Sequence, residues 1–192
     1  MQRCVIACLK NCRRNILRQG LTLGSSFLLI GLFASAAQGR EDVYLTPEQF
    51  IAEAAGTPVP KPDTLWLTKD VAAQAARILG HAPPQLRQRY WKSSGKTVWV
   101  LEEIGKEEPI TAGFVVENGK ILQARVLIYR ESRGGEIRYP AFIKQYEGVA
   151  LDTEQQLDRS IDGISGATLS VRAMGRMARL ALYFDKLSQE KK

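Results

Sequence analysis

TVWVLEEIGKEEPITAGFVVENGKILQARVLIY, residues 97–129, decides the fold. Thr97 to Ile104, Ile110 to Glu117 and Ile121 to Tyr129 are rich in β-branched residues and partly alternate between apolar and polar. That is the pattern of extended chain resting on a core. Asn118-Gly119 separates the second run from the third. A tight primed turn needs positive φ at both central residues, and Asn-Gly adopts it readily. The segment therefore predicts an antiparallel β-meander.

Helical signals flank the meander on both sides. Upstream, Thr46-Pro47-Glu48-Gln49 offers an N-cap, a first-turn proline and a capping-box glutamine. That helix runs to about Ala55 and breaks at Gly56, before a proline-rich connector, Thr57 to Pro62. A second helix opens at Thr68, buries Val71, Ala75, Ile78 and Leu79 at helical spacing, and stops at Gly80. Pro83 and Pro84 forbid its continuation. Downstream, Phe142 to Tyr146 reads as a short helix. The last helix starts near Ser170 and exposes Arg172, Arg176 and Arg179. Its buried side takes Val171, Met174, Ala178 and Ala181, with Phe184 or Leu187. Helices, a meander, then helices make an α+β fold rather than a Rossmann sheet.

The first residues form a separate object. Met1 to Gln19 carries Arg3, Lys10, Arg13, Arg14 and Arg18 without an acid, and Leu21 to Ala37 carries no charge at all. Ala34-Ser35-Ala36 then supplies a small-x-small exit. This order reads as a secretory signal peptide over residues 1–36, with an uncleaved membrane anchor as the alternative. Arg13-Arg14-Asn15-Ile16-Leu17-Arg18 resembles the twin-arginine export pattern, and Sec export stays open beside it. Residues 37–96 are then a helical lead, 97–188 the main domain and 189–192 a tail. The expected location is the periplasm.

Removing the leader changes the composition. Cys4, Cys8 and Cys12, all the cysteines, go with it, leaving no thiol for a disulfide or a metal site. Taking five bases from 27 leaves 22 against 20 acids, a net charge of +2. Nothing in that balance points to a nucleic-acid partner. His81 is the single histidine and reads as structural, and no Ser-His-Asp set or metal-spaced cluster is present. Trp66, Trp91 and Trp99 read as core or interface residues.

Chemistry concentrates in Asp162-Gly163-Ile164-Ser165-Gly166-Ala167-Thr168-Leu169-Ser170. Small residues here deliver a hydroxyl just before a helix. Gly163 and Gly166 permit close backbone approach, Ala167 adds little bulk beside Thr168, and free N–H groups at the helix start favour a phosphate. The same residues also suit an ordinary helix start, with Thr168 or Ser170 as N-cap.

The full string resembles the flavinylation motif of the FMN-binding domain family, Asp-x-x-Ser/Thr-Gly-Ala-Thr. The resemblance extends from about Thr97 to Leu187. Glu131-Ser132-Arg133-Gly134-Gly135 is similar to the family's Glu-Thr-x-Gly loop, which lies against the flavin. Phe142, Gln145, Tyr146 and Gly148 match its Phe-x-x-Gln-Phe-x-Gly stretch, although Phe142 and Tyr146 also suit simple core packing. The resemblance implies FMN joined through its phosphate to Thr168 by an FAD:protein FMN transferase. It further implies that Asp162, Ser165, Gly166 and Ala167 form the transferase's recognition sequence. Glu131, Ser132, Gly134 and Gly163 complete the expected cofactor-binding set, and Arg130, Arg133 and Arg138 are candidates to stabilise anionic reduced flavin.

A covalent bond suits an exported carrier, because tethering keeps the cofactor at high effective concentration in a shallow site. The expected role is electron transfer from a membrane-bound redox partner to a periplasmic acceptor, with no catalytic residue of its own. The alternatives are a small flavin-dependent reductase acting directly on a substrate and a non-redox adaptor that keeps only the fold.

Overall fold

The computed structural model describes residues 41–190. The expected signal peptide, residues 1–36, with its cysteines and paired arginines, lies outside the described residues. Among those described, no helix is long and apolar enough to cross a membrane.

The meander forms as its sequence pattern predicts. β4 (Lys96–Ile104), β5 (Pro109–Glu117) and β6 (Lys120–Tyr129) pair antiparallel, with Trp99 opposite Phe114 and Glu117 opposite Lys120. Asn118 and Gly119 both take positive φ, 51° and 71°, closing the tight turn. The sheet is larger than this core. The stretch before it contributes β1 (Asp42–Val43), β2 (Asp63–Trp66) and β3 (Arg87–Ser93), in the spatial order β1-β6-β5-β4-β3-β2. The class is α+β, but the lead is not helical alone. β3 reads RQRYWKS, and its inward residues include the polar Gln88, so its composition hides it. The side-chain amide of Gln88 donates to the carbonyl of Val100 at 3.0 Å, which allows a glutamine to be buried there.

Both expected upstream helices are present. α1 (Pro47–Ala55) starts with a complete capping box: Gln49 N–H donates to Thr46 Oγ1 at 3.2 Å, and Thr46 N–H to Gln49 Oε1 at 3.0 Å. α2 (Lys69–Leu79) ends at Gly80, which is left-handed at φ 84°. The helices cover opposite faces of the sheet. Phe50 and Ile51 of α1 pack with Val98, Val115 and Leu127, whereas α2 joins the larger core around Trp99 and Phe114. Gly113 makes room for α1, because a Cβ there would lie 2.3 Å from the Phe50 ring. With both faces covered, β5 is buried along its middle, so its sequence cannot alternate cleanly.

α3 (Pro140–Ile143) and a 3-10 turn, Lys144–Tyr146, occupy the place of the predicted short helix. Phe142 and Tyr146 meet edge to face there at 5.7 Å between ring centres. The final helix, α4 (Thr168–Glu190), crosses the larger core with Met174, Ala178, Ala181 and Phe184 buried. A buried chain of bonds ties it to β4. Trp99 Nε1–H donates to Thr97 Oγ1 at 2.8 Å, and Thr97 donates to Asp185 Oδ1 at 2.6 Å. Trp99 is thus core as expected, while Trp66 stands exposed at the sheet edge.

The expectation of three solvent-facing arginines on α4 is corrected for two of them. Arg172 is exposed, but Arg176 and Arg179 are half-buried. Arg176 Nη2 pairs with Glu103 at 2.8 Å, and Arg179 Nη2 donates to the Ile78 carbonyl at 2.7 Å. Long stems lie along apolar surface while their heads find acceptors, so periodicity alone misplaces them. Glu103, almost fully buried, also takes His81 Nε2 at 3.0 Å, which gives the single histidine its structural role.

Candidate functional site

Two segments distant in sequence meet where β6 ends and α4 begins. Tyr129, the last residue of β6, is buried and makes the junction. Its hydroxyl donates to the carbonyl of Arg133 and, its one proton spent, accepts from Ser170 Oγ at 3.0 Å. Burial raises the Tyr129 pKa, so the hydroxyl stays a neutral donor, with the Ser170 bond opposing that shift in part. Gly134 lies inside this junction at φ 91°. A Cβ there would stand 2.8 Å from Tyr129 Oη and 3.1 Å from both Ala167 Cβ and Ser170 Oγ. Only glycine lets the 131–135 loop seat against the start of α4.

The meeting leaves a cleft of about 440 Å3. Glu131, Ser132 and Gly134 line it from one side, and Ser165 and Gly166 from the other. Five of the expected site residues are thereby brought together. Ala167 sits buried behind the wall. Asp162, Gly163 and Thr168 lie outside the cleft lining, next to it in sequence. Gly166 has the positive φ, 81°, that its role requires; Gly163 has neither a positive φ nor a close neighbour, so no backbone reason for a glycine is found there.

Tyr44 and Tyr139, which the sequence pattern did not mark, join Arg133 and Arg138, which it did, in the cleft lining. Arg138 lies over the ring of Tyr44 at 4.5 Å and that of Tyr139 at 5.1 Å, and all three line the opening. Tyr44 directly follows the short edge strand β1, and its N–H donates to the Leu127 carbonyl of β6 at 2.9 Å, so its place depends on that pairing rather than on any local motif. Arg133 also lines the cleft, with its side chain exposed. Arg130 does not. Its guanidinium pairs with Glu41 at 2.9 Å and Glu102 at 3.2 Å, and donates to Thr111 Oγ1 at 3.0 Å, so its role is structural.

Glu131 has a second task. One carboxylate oxygen accepts backbone N–H groups from Lys106, from Glu107 at 2.8 Å and from Glu108 at 3.1 Å. Burial would raise its pKa, but these three donors and the Lys106 charge outweigh it and hold the carboxyl below its ordinary range. Gly105 is needed beside it, because a Cβ there would fall 2.7 Å from that oxygen. The side chain therefore staples the β4–β5 turn to the cleft.

Thr168 is the first residue of α4 and is exposed. The carbonyl of Ala167 accepts the N–H of Val171 at 3.0 Å, which makes Ala167 the capping position. Neither Thr168 nor Ser170 is the N-cap, and the helix begins earlier than expected. Among the described residues, the Thr168 hydroxyl has no hydrogen-bond partner. An open alcohol on a long helix's first turn, beside unpaired N–H groups, is chemically suited to carry a phosphate. The glycine-walled, tyrosine-rimmed cleft beside it has the size of a small-molecule site.

The 162–168 segment is also held from below. Gln145 Oε1 accepts the backbone N–H of Asp162 at 2.6 Å, so the Phe142–Gly148 stretch supports the motif directly.

A family model described as FMN-binding domain matches residues 105–183. The matched span contains both walls of the cleft and the whole 162–168 motif, and it gives FMN as the cofactor. No curated protein matches the chain.

Proposed function

We propose, on the premise that residues 105–183 are an FMN-binding domain, that this protein is an exported electron carrier holding FMN covalently on Thr168. The observation that carries the reading is the Thr168 hydroxyl, exposed and unpartnered at the start of α4 beside the Ser165–Gly166 wall. A transferase using FAD would form a bond from Thr168 Oγ1 to the FMN phosphorus. The pyrophosphate bond of FAD breaks, AMP leaves, and the hydroxyl proton is lost. The α4 N–H groups would hold the phosphodiester, and the cleft lined by Tyr44 and Tyr139 would hold the ring system. Arg133 and Arg138 would offer cations to the flavin among the carboxylates of Asp42, Glu131 and Glu136. Bound flavin supplies one- and two-electron transfer.

The reading is a carrier rather than a self-sufficient reductase. Of the ionisable residues in the cleft, which also include Asp42 and Glu136, Tyr129 is committed to Arg133 and Ser170, and Oε1 of Glu131 to a backbone turn. The donor is proposed to be a membrane-bound redox protein, and the acceptor another exported protein or complex.

Co-expression with an FAD:protein FMN transferase tests the attachment. Flavin fluorescence should survive a denaturing gel, and the intact mass should rise by the FMN adduct. Thr168→Ala should abolish both, and Thr168→Ser should retain them. Fluorescence persisting in Thr168→Ala, or an unmodified mass in the wild type, would overturn the assignment. Mass of the chain from its native host reports leader removal at the same time.

A further inference from the structure

A second pocket, of about 570 Å3, lies between the end of α2, the 156–161 loop and the outer side of α4. Arg77, Arg159, Arg172, Arg176 and Arg179 all line it. Among the described residues, carboxylates partner only two of them. Arg176 has Glu103, and Arg159 has Asp158 at a loose 3.6 Å. Arg179 is held by Gln156 Oε1 and the Ile78 carbonyl, both neutral. Arg77 bonds only the amide oxygen of Gln74, at 3.3 Å. Arg172 is exposed. Burial lowers the Arg179 pKa, and the neighbouring Arg176 charge adds to that cost.

Two buried donors without partners belong to residues of the same pocket wall. Tyr146, which contributes to the pocket wall, is fully buried, and its hydroxyl has no hydrogen-bond partner. The Nε of Arg176 is likewise buried without an acceptor. Buried donors left unpaired are costly and uncommon in a native fold. Gly175, in the middle of α4, also lines the pocket, and a Cβ there would meet nothing within 4 Å. Packing does not require a glycine at that position, and in mid-helix it costs about 1 kcal/mol relative to alanine. Its effect is to keep the pocket open.

We infer that this arginine-lined pocket binds a compact multiply charged oxyanion, a phosphate ester or a polycarboxylate, at a site separate from the flavin cleft. Guanidinium forks match either oxyanion in bidentate geometry. Arg172 and Arg77 supply unpaired charge at the mouth, with Arg176 and Arg179 set deeper.

Titration calorimetry on the mature full-length protein, with inorganic pyrophosphate and with citrate, tests this. Saturable 1:1 binding of either probe supports the site, and the preferred probe identifies the ligand class. Arg172→Gln should weaken binding about tenfold, the worth of one charge-assisted hydrogen bond. Gly175→Leu should abolish binding while thermal melting reports an intact fold. Arg125→Gln, on a strand remote from the pocket lining, should leave binding unchanged. Absence of saturable binding for both probes would overturn the inference, as would equal losses in Arg172→Gln and Arg125→Gln. Flavin attachment at Thr168 is read separately by gel fluorescence, so failure of one assignment leaves the other standing.

Discussion

Gln145 Oε1 lies 2.6 Å from the backbone nitrogen of Asp162, joining the turn after α3 to the segment that presents Thr168. A side chain thus satisfies a backbone donor in a stretch with no regular structure of its own. Gln145→Leu removes the acceptor and should cost about 1 kcal/mol in urea unfolding. It should also lower the flavin fluorescence gained per molecule in the transferase assay. Gln145→Glu keeps an oxygen in place and should restore most of both. Equal fluorescence in the leucine variant and wild type would show that this bond does not order the motif.

The glycines of the site should separate sharply in stability. Gly134→Ala combines a positive φ with a Cβ 2.8 Å from Tyr129 Oη, and should destabilise by about 2–4 kcal/mol. Gly163→Ala has open space around it and should stay within about 0.5 kcal/mol. Chemical denaturation of both variants measures the contrast, and similar midpoints would refute the packing of the 131–135 loop on α4.

Glu131 predicts an acid-side dependence. Its folded pKa is held below the ordinary 4.5, so its contribution is fully present above that value and is lost as pH falls through the folded pKa. The stability advantage of wild type over Glu131→Gln should be constant near neutrality and shrink in acid. Urea midpoints measured across that range decide it. A gap that widens in acid would contradict the three-donor arrangement.

His81 titrates in the opposite sense. Its hydrogen bond to Glu103 raises its pKa above 6.5, with the Ala82 carbonyl adding to the shift. The stabilisation is present below 6.5 and fades as pH rises through the folded value. Because the chain has a single histidine, its ring resonances in proton NMR report the titration directly. The midpoint should lie above that of the urea-unfolded chain, and Glu103→Gln should lower it.

Thr97→Val tests the bonded chain between sheet and helix. It leaves Trp99 Nε1 and the Asp185 carboxylate without their shared partner in a buried setting. The expected loss is about 1–3 kcal/mol, read by denaturant unfolding. Thr97→Ser retains the hydroxyl and should recover most of it.

Local rules read much of this chain well. The capping box at Thr46, the Asn118-Gly119 turn and the glycine stop at Gly80 are each decided by a few adjacent residues, and each formed as its chemistry demands. β3 and the partners of Arg176 and Arg179 were not legible. A polar edge strand is defined by what it pairs with, and a long cation goes wherever an acceptor lies within reach. The cleft fell between these cases. Glu131, Ser132 and Gly134 could be named with Ser165 and Gly166, but Tyr44, Tyr139 and the stapling role of Glu131 could not.

By itself the sequence determined the meander, the helices beside it and the motif that ends in a threonine, because these depend on period, turn geometry and adjacent side chains. Tertiary structure alone decided that Tyr129 and Gly134 bring the 131–135 loop onto the first turn of α4. It also decided that Thr168 is left open rather than used as a cap, and that arginines from separate elements surround one pocket. Those outcomes depend on distances between residues far apart along the chain, which exist only once the sheet and the final helix have packed together.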